Sequence, residues 1–494
     1  MDQAPIENPY RPGAGHMPPV LGGREQERRH FRQLLQQSLI TENVLVTGLR
    51  GFGKTVLVEE YKRIAQAENW LWVGNDLSET STLTEERLCV RILADIAEVL
   101  NTAMLDERAT QYFNAALKPD RSLDGRASHR MYFETLKRYF DTIPGHAADK
   151  MHATIATVLS VVEHSPFKGL VLAYDEAQCL HDHAQNDEFP LSVLVETVSN
   201  LQKKAGAAPC VLVLSGLPAI FDALTNTRTY TERMFHVLEL DRLSRADTDC
   251  ALREPLNSFM PPLYASDDLL NKVVDLAGGY PYLIQFFGRE LFEKMVANGG
   301  FIETSAFPDE GVLRRLDAGL FASRWNKTTD KQRHFLGLIA SRPIGQSQDF
   351  TARELAELSR GSYASAQATQ LLTALCDRGL IYRSRRGHYA FTVPMSEVMI
   401  RNRLRTQAEV ENSWRITLPP APRQLTAPAP AAPEAATVTD AAPPPLPAVS
   451  SAPAGVAPEA AQTSPQSPLE ASSMTAPPPP PTAQHRSRLW TWFA

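Results

Sequence analysis

The chain has 494 residues, with 50 Lys plus Arg against 56 Asp plus Glu and a net charge of −6. That length calls for two or three domains. The mild acidity excludes a globally basic nucleic-acid binder, so any DNA contact has to be local. Five cysteines (Cys89, Cys179, Cys210, Cys250 and Cys376) are scattered without a C-x-x-C pair. This argues against zinc and a disulfide framework and fits a reducing, cytoplasmic setting.

Residues 1–22 are a polar, Pro/Gly-rich leader without the apolar core of a secretory signal. No later run approaches the roughly 18 apolar residues of a membrane span. A helix is expected over 24–39, opened by Leu21-Gly22-Gly23-Arg24-Glu25, and a buried strand over 43–47. Gly48 to Thr55 then reads Gly-Leu-Arg-Gly-Phe-Gly-Lys-Thr and fits G-x-x-x-x-G-K-[ST]. In that pattern the glycines let backbone N–H groups surround phosphates, a Lys reaches the β/γ-phosphates and a hydroxyl ligates Mg²⁺. Gly48, Gly51, Gly53, Lys54, Thr55 and Val56 are therefore candidate nucleotide contacts, with Thr55 also a metal ligand. The strand before and the helix over 55–67 after place the helix N-terminus at the phosphates, which separates this site from a chance match.

A strand over 70–74 and helices over 84–100, 128–141 and 148–164 follow. The stretch from about 100 to 168 is long for one crossover and is expected to hold an inserted helical layer. The strand 169–174 ends in Asp175-Glu176. An apolar strand ending in two carboxylates, one domain-sized interval after a P-loop, suits Asp175 for Mg²⁺ and Glu176 for polarising an attacking water. A helix over 190–204 leads to the strand 210–215, expected between the other two. Its terminal Ser215 is either a sensor of the attacking water or part of a Ser-Gly turn. Arg233, just before a strand at 236–240, is either a finger for a neighbouring subunit's γ-phosphate or a surface ion-pair partner. After a helix over 247–257, Gly279-Tyr280-Pro281 opens another helix with Pro at its start. Tyr280 and Pro281 could pack an adenine ring, and Gly23-Arg24 could close over it; both could equally be helix-start punctuation. Strands alternating with helices predict an α/β fold with a parallel sheet covered on both faces.

Beyond residue 326 the pattern changes. Helices over 330–340, 352–359 and 365–378 precede two short strands around Ser384-Arg385-Arg386-Gly387, as in a winged helix. Arg378, Arg383, Arg385, Arg386, Arg401, Arg403 and Arg405 make this end basic, while the third helix is uncharged from Ala364 to Thr373. Contact with duplex DNA and docking to protein both remain open. Residues 415–484 hold about half of the 37 prolines and are expected to be disordered. Residues 485–494, with Arg486, Arg488, Trp490, Trp492 and Phe493, form a candidate protein-recognition peptide.

From about residue 20 to 400, the order Gly23-Arg24-Glu25, P-loop, Asp175-Glu176, Ser215, Arg233, Gly279-Tyr280-Pro281 resembles the prokaryotic AAA-family ATPases related to origin-recognition and STAND ATPases. The resemblance implies a P-loop NTPase core (23–245) whose five-stranded parallel sheet has the P-loop strand at its centre. A helical lid (246–325) and a C-terminal winged helix (326–406) would follow. It also implies ATP, Mg²⁺, ATP hydrolysis and self-association. Two departures stand out and point to slow turnover. Gly279-Tyr280-Pro281 occupies the place of an origin-recognition sensor Arg, with Arg289 two turns on, and Ser215 stands where STAND proteins often carry Arg. The expected activity is that of an ATP-hydrolysing switch associated with DNA. The alternative is a signalling or defence scaffold that oligomerises with ATP and recruits a protein partner.

Overall fold

The strands of the main sheet form where short apolar runs can be buried along their whole length. In the computed structural model these are β1 (Asn43–Gly48), β2 (Trp70–Val73), β3 (Gly169–Tyr174) and β4 (Cys210–Gly216), every residue buried. β5 (Phe235–Leu240) is buried only at its two ends, with half-buried and exposed residues alternating between them, as suits an edge. All five are parallel, in the order β2-β3-β4-β1-β5. β4 lies between the P-loop strand β1 and the Asp-Glu strand β3, as expected. The centre of the sheet, however, falls to β4 and not to β1, because only β5 is added beyond β1. The structure describes residues 7–13, 15–103, 105–119, 129–203, 209–227, 231–258, 263–342, 349–385, 387–393 and 395–406. The expectations for 415–484 and 485–494 lie outside them.

Alternation along the strands sorts the core into two layers. Val44, Val46, Val171, Val211 and Val213 share one apolar cluster with α1 (Glu25–Leu35) and α2 (Lys54–Ala67), where Phe31 stacks on Tyr61 with ring centroids 4.1 Å apart. Leu45, Leu71, Leu170, Leu172, Leu212 and Leu214 share the other with α3 (Glu85–Thr102), α4 (Glu107–Leu117), α5 (His129–Thr142), α6 (Ala147–Glu163) and α7 (Pro190–Gln202). Each fully buried Leu or Val contributes about 1.5–3 kcal/mol. α4 to α6 are the inserted layer between β2 and β3; Asp106 caps α4 by accepting from the Ala109 N–H.

Two short helices, α8 (Ala219–Thr227) and α9 (Thr231–Met234), connect β4 to β5. After β5 comes a helical region, α10 (Arg245–Asn257), α11 (Asp267–Ala277), α12 (Pro281–Ala297), α13 (Glu310–Leu316) and α14 (Ala322–Asn326), the last two joined by a π-helical turn over Asp317–Phe321. Its apolar cluster is continuous with that of α1 and α2.

The C-terminal unit comprises α15 (Asp330–Ala340), β6 (Phe350–Thr351), α16 (Ala352–Leu358), α17 (Ser365–Asp377), β7 (Ile381–Arg385), β8 (His388–Phe391) and α18 (Ser396–Thr406). Capping boxes at Thr329/Gln332 and Thr351/Glu354 start α15 and α16. The sheet is antiparallel in the order β6-β8-β7; β6 is a strand that the sequence reading does not include. The described residues fall in one compact unit, so these layers share a common frame.

Candidate functional site

The P-loop turns where β1 gives way to α2. Gly48, Gly51 and Gly53 all have positive φ (145°, 85° and 85°). A Cβ at Gly48 would meet the Leu240 carbonyl oxygen at 2.7 Å, and one at Gly51 would collide with the Tyr280 hydroxyl. At Gly53, the N-cap of α2, nothing lies within 4 Å, so that side of the loop is open toward a ligand. Lys54 and Thr55 are the first two residues of α2, where unpaired backbone N–H groups favour anions.

The chemistry-bearing side chains converge here. Lys54 Nζ donates to the carbonyls of Gly48 (3.0 Å) and Leu49 (3.1 Å). Burial lowers its pKa, against the pull of Asp175 and Glu176. Thr55 Oγ1 donates to Asp175 Oδ2 at 2.6 Å, joining the two residues expected to hold a metal. A third carboxylate, Asp76, bridges β-fashion to Asp175, and burial followed by Asp175 and Glu176 raises its pKa. The Thr55 hydroxyl and the Asp175 carboxylate form a pair of hard oxygen donors that suits Mg²⁺. Glu176 sits in the left-handed region (φ 53°), a strained conformation for a non-glycine residue. Its carboxylate accepts from Gln178 Nε2, and Gln178 Oε1 accepts from the Leu217 N–H at 2.9 Å. Gly216 makes room for this: a Cβ there would meet Gln178 Oε1 at 2.9 Å.

A cavity of about 450 Å³, within the range of small-molecule sites, opens over the loop. Arg24, Gly51, Gly53, Lys54, Thr55, Val56, Glu176, Tyr280 and Pro281 all line it. Gly23 and Gly48 lie behind it as close-packing turns, Gly23 against Asp247. Ser215 is fully buried at the tip of β4, its Oγ without a hydrogen-bond partner among the described residues, and it is not part of the lining. Arg233 is exposed on α9 at the start of β5, while the P-loop lies beyond its end. The intervening strand is about 17 Å at 3.3 Å per residue, so any phosphate contact by Arg233 would be in another subunit. Tyr280 does not present a free ring face. It is 1% exposed, meets Phe52 edge-on at 5.3 Å, and donates its hydroxyl to the Arg50 carbonyl, so that it pins the P-loop.

Sequence reasoning missed four contributors. Gln178 lies two residues beyond the Asp-Glu pair and could have been suspected from that position. Arg50 occupies a variable position of the P-loop motif. Arg324 arrives from α14, with no local signal at all. The leader, expected to be irregular, has no regular structure but is firmly docked. Tyr10 is buried and donates its hydroxyl to the Leu252 carbonyl, and the Arg11 N–H donates to Gln285 Oε1 at 3.0 Å. Gly13, His16, Pro18 and Val20 then line the cavity. A second cavity, about 350 Å³, lies beside β2 near Trp70, Trp72 and Asp95 and contains no P-loop residue.

Residues 20–214 match the family described as AAA ATPase domain, and residues 318–398 match a domain of unknown function (DUF8462). No curated protein sequence matches the chain. Among solved structures, the Aeropyrum pernix ORC2 protein is similar at 14% identity over 80% of this chain and 97% of that one, with a TM-score of 0.49. A Walker-type ATPase of Pyrococcus abyssi is similar at 16% identity over 77% and 96%, with a TM-score of 0.45. The Aeropyrum pernix ORC1 protein, solved in complex with DNA, is similar at 14% identity over 80% and 95%, with a TM-score of 0.37. These likenesses are distant; the assignment rests on the family match and on the loop that β1 and α2 build. The segment from residue 20 to 214 is an AAA ATPase domain.

Proposed function

We propose that the chain is an ATP-binding and ATP-hydrolysing switch, with a core at 23–245, a lid at 246–325 and an output module at 326–406. The cavity carries this reading. Its lining holds five cations, Arg11, Arg24, Arg50, Lys54 and Arg324, against a single carboxylate, Glu176. Pro18, Val20, Leu21, Leu243 and Ile284 line the same space. Clustered cations suit a polyphosphate, and the apolar lining suits a purine base.

In this reading the P-loop N–H groups and Lys54 hold the β- and γ-phosphates. Thr55 and Asp175 would hold Mg²⁺, which when bound supplies positive charge to the phosphate oxygens. Glu176 accepts a proton from the attacking water, and Gln178 holds its carboxylate in place. Lys54 stabilises the charge on the transferring phosphoryl group. Ser215 would act from behind the cavity wall, and Arg233 only from a neighbouring copy in a self-associated form.

Two outputs compete. For duplex DNA, α17 offers an exposed uncharged polar face (Ser365, Gln367, Thr369, Gln370, Thr373), and Arg383 is exposed on β7. One observation favours protein docking instead: three arginines of the basic set are bound inward. Arg378 Nε donates to the Lys327 carbonyl, Arg401 Nε donates to the Ala340 carbonyl, and Arg403 pairs with Asp317. The side chains of Arg385, Arg386 and Arg405 lie outside the described residues. In the docking reading, residues 485–494 recruit the partner, and deleting them abolishes its pull-down.

The test is phosphate release with and without duplex DNA, beside particle size in a non-hydrolysable ATP analogue. Stimulation by DNA supports the first output. Nucleotide-dependent assembly indifferent to DNA supports the second. Phosphate release unchanged in both Lys54→Ala and Glu176→Gln rejects the enzyme.

A further inference from the structure

A second group of chemistry-bearing side chains lies away from the nucleotide cavity, at the other end of the sheet. β1 runs from Asn43 toward the P-loop, and its Val44 pairs with His236 of β5. Side chains two apart on a strand share a face, so Glu42, Val44 and His236 fall on the same side of the sheet. α1 covers that side, because Val44 shares an apolar cluster with Phe31, Leu34 and Leu35. His30, next to Phe31, stacks on His236 with ring centroids 4.0 Å apart. One ligand atom from each of His30, Glu42 and His236 lies within 4.8 Å of the other two.

The contact between His30 and Glu42 is unusual. His30 Nε2 is shielded from solvent and lies 3.2 Å from Glu42 Oε1, yet it makes no hydrogen bond among the described residues. A buried polar atom without a partner calls for an explanation, and an ion between the two groups supplies one. The spacing fits. Zn–N and Zn–O bonds of about 2.0–2.2 Å at the tetrahedral angle hold two ligand atoms about 3.3 Å apart. The side chains of His30 and Glu42 are each 31% exposed, so a cation can reach them from solvent. Two imidazoles and a carboxylate suit Zn²⁺ and its neighbours in the first transition row, whereas Mg²⁺ takes oxygen ligands. The scattered cysteines argue only against a thiolate site.

We propose that His30, Glu42 and His236 form a binding site for a zinc-class divalent cation that clips α1 and the start of β1 to the edge strand β5. On binding, the His236 ring turns out of the stack, so that both imidazoles and the carboxylate point at one ion. Three protein ligands leave the fourth position to water. The length of β1, about 17 Å at 3.3 Å per residue, separates this site from the P-loop, so its occupancy is independent of the nucleotide reading.

The experiment strips the full chain with a chelator and titrates it with Co²⁺, whose visible absorption is intense in tetrahedral sites, and then with Zn²⁺ in competition. Wild type should bind one equivalent of Co²⁺ with this absorption. Zn²⁺ should displace it and excess Mg²⁺ should not. His30→Ala, Glu42→Gln and His236→Ala should each lose the absorption and bind Zn²⁺ about tenfold or more weakly, since even losing a residue that supports a ligand costs that much. Zn²⁺ should raise the melting temperature of wild type and leave that of the three variants unchanged. His236→Cys keeps a donor in place, and should retain the site with a sulfur-to-cobalt absorption added. Absence of the Co²⁺ absorption in wild type overturns the proposal. Equal Zn²⁺ affinity in wild type and all three variants also overturns it, because the metal then sits on other histidines. So does a His236→Cys chain that melts like metal-free wild type and binds no Zn²⁺, which separates a missing site from a misfolded one.

Discussion

The two walls of the cavity are built on opposite plans. One wall is a single stretch of sequence, Arg50 to Leu57, joined by Glu176 from just beyond the end of β3. The other wall is assembled from the leader and, hundreds of residues later, the start of α12 and Arg324 on α14. In the proposed reading the first wall does chemistry on phosphates, and the second encloses the ligand. Changes in the first wall should therefore damage turnover with little loss of stability. Changes in the second should damage affinity or stability and leave the bound chemistry nearly intact.

The sharpest test of this contrast is Glu176→Gln. Phosphate release in a single-turnover assay should fall about 100-fold or more, the usual scale of a lost general base. Affinity for the triphosphate and the melting temperature should stay close to wild type. On the opposite wall, Tyr10→Ala removes a buried ring that packs against Gly288 and donates to the Leu252 carbonyl. Denaturant unfolding should show a loss of about 3–5 kcal/mol, as for other buried aromatic truncations. Nucleotide affinity should drop with it, while turnover at saturating nucleotide is retained. If turnover falls as steeply as in Glu176→Gln, the division between the walls is broken.

Gln178→Leu probes the junction of the two plans. It frees the Glu176 carboxylate and leaves the Leu217 N–H unpaired, at a cost of about 1–3 kcal/mol. Turnover should fall about tenfold with unchanged ADP affinity. Unchanged turnover would reduce Gln178 to a packing residue. Tyr280→Phe is smaller still. It loses the bond to the Arg50 carbonyl, so melting should report about 1 kcal/mol.

The smallest effect lies far from the cavity, at the start of β1 and β5. His236 stacks on His30 at 4.0 Å, with Glu42 alongside. Burial and the like charge of His30 lower the His236 pKa, while Glu42 opposes them. The folded chain therefore favours the neutral ring. Its contribution to stability is complete above the unfolded value of about 6.5 and is lost as the pH falls below that value and through the lower folded one. Melting temperatures between about pH 7.5 and 5.5 should show the decline, and His236→Asn should flatten it.

How much was legible in advance followed the same division. The five strands were readable because a strand buried on both faces must be a continuous apolar run, as in Val44-Leu45-Val46 and Leu170-Val171-Leu172. The P-loop was readable because phosphate chemistry demands glycines, a Lys and a hydroxyl at fixed spacing along one turn. Arg378, Arg401 and Arg403 misled in the other direction. As letters they count toward a basic surface, but the fold turns each one inward to a carbonyl or a carboxylate. Tyr280 was readable as a helix start but not as a clamp on the Arg50 carbonyl, since that contact spans 230 residues.

The sequence by itself determined the parallel sheet, the phosphate loop, the Asp175–Glu176 pair and the three-helix-plus-hairpin pattern of the C-terminal unit. All of these rest on local periodicity and short-range spacing. Only the tertiary structure decided that β4 takes the centre of the sheet, that the leader walls the cavity, that Ser215 sits behind it, and that Arg324 enters it. Those outcomes depend on how layers dock, and docking is governed by the fit of whole apolar surfaces. No local pattern of letters records that fit.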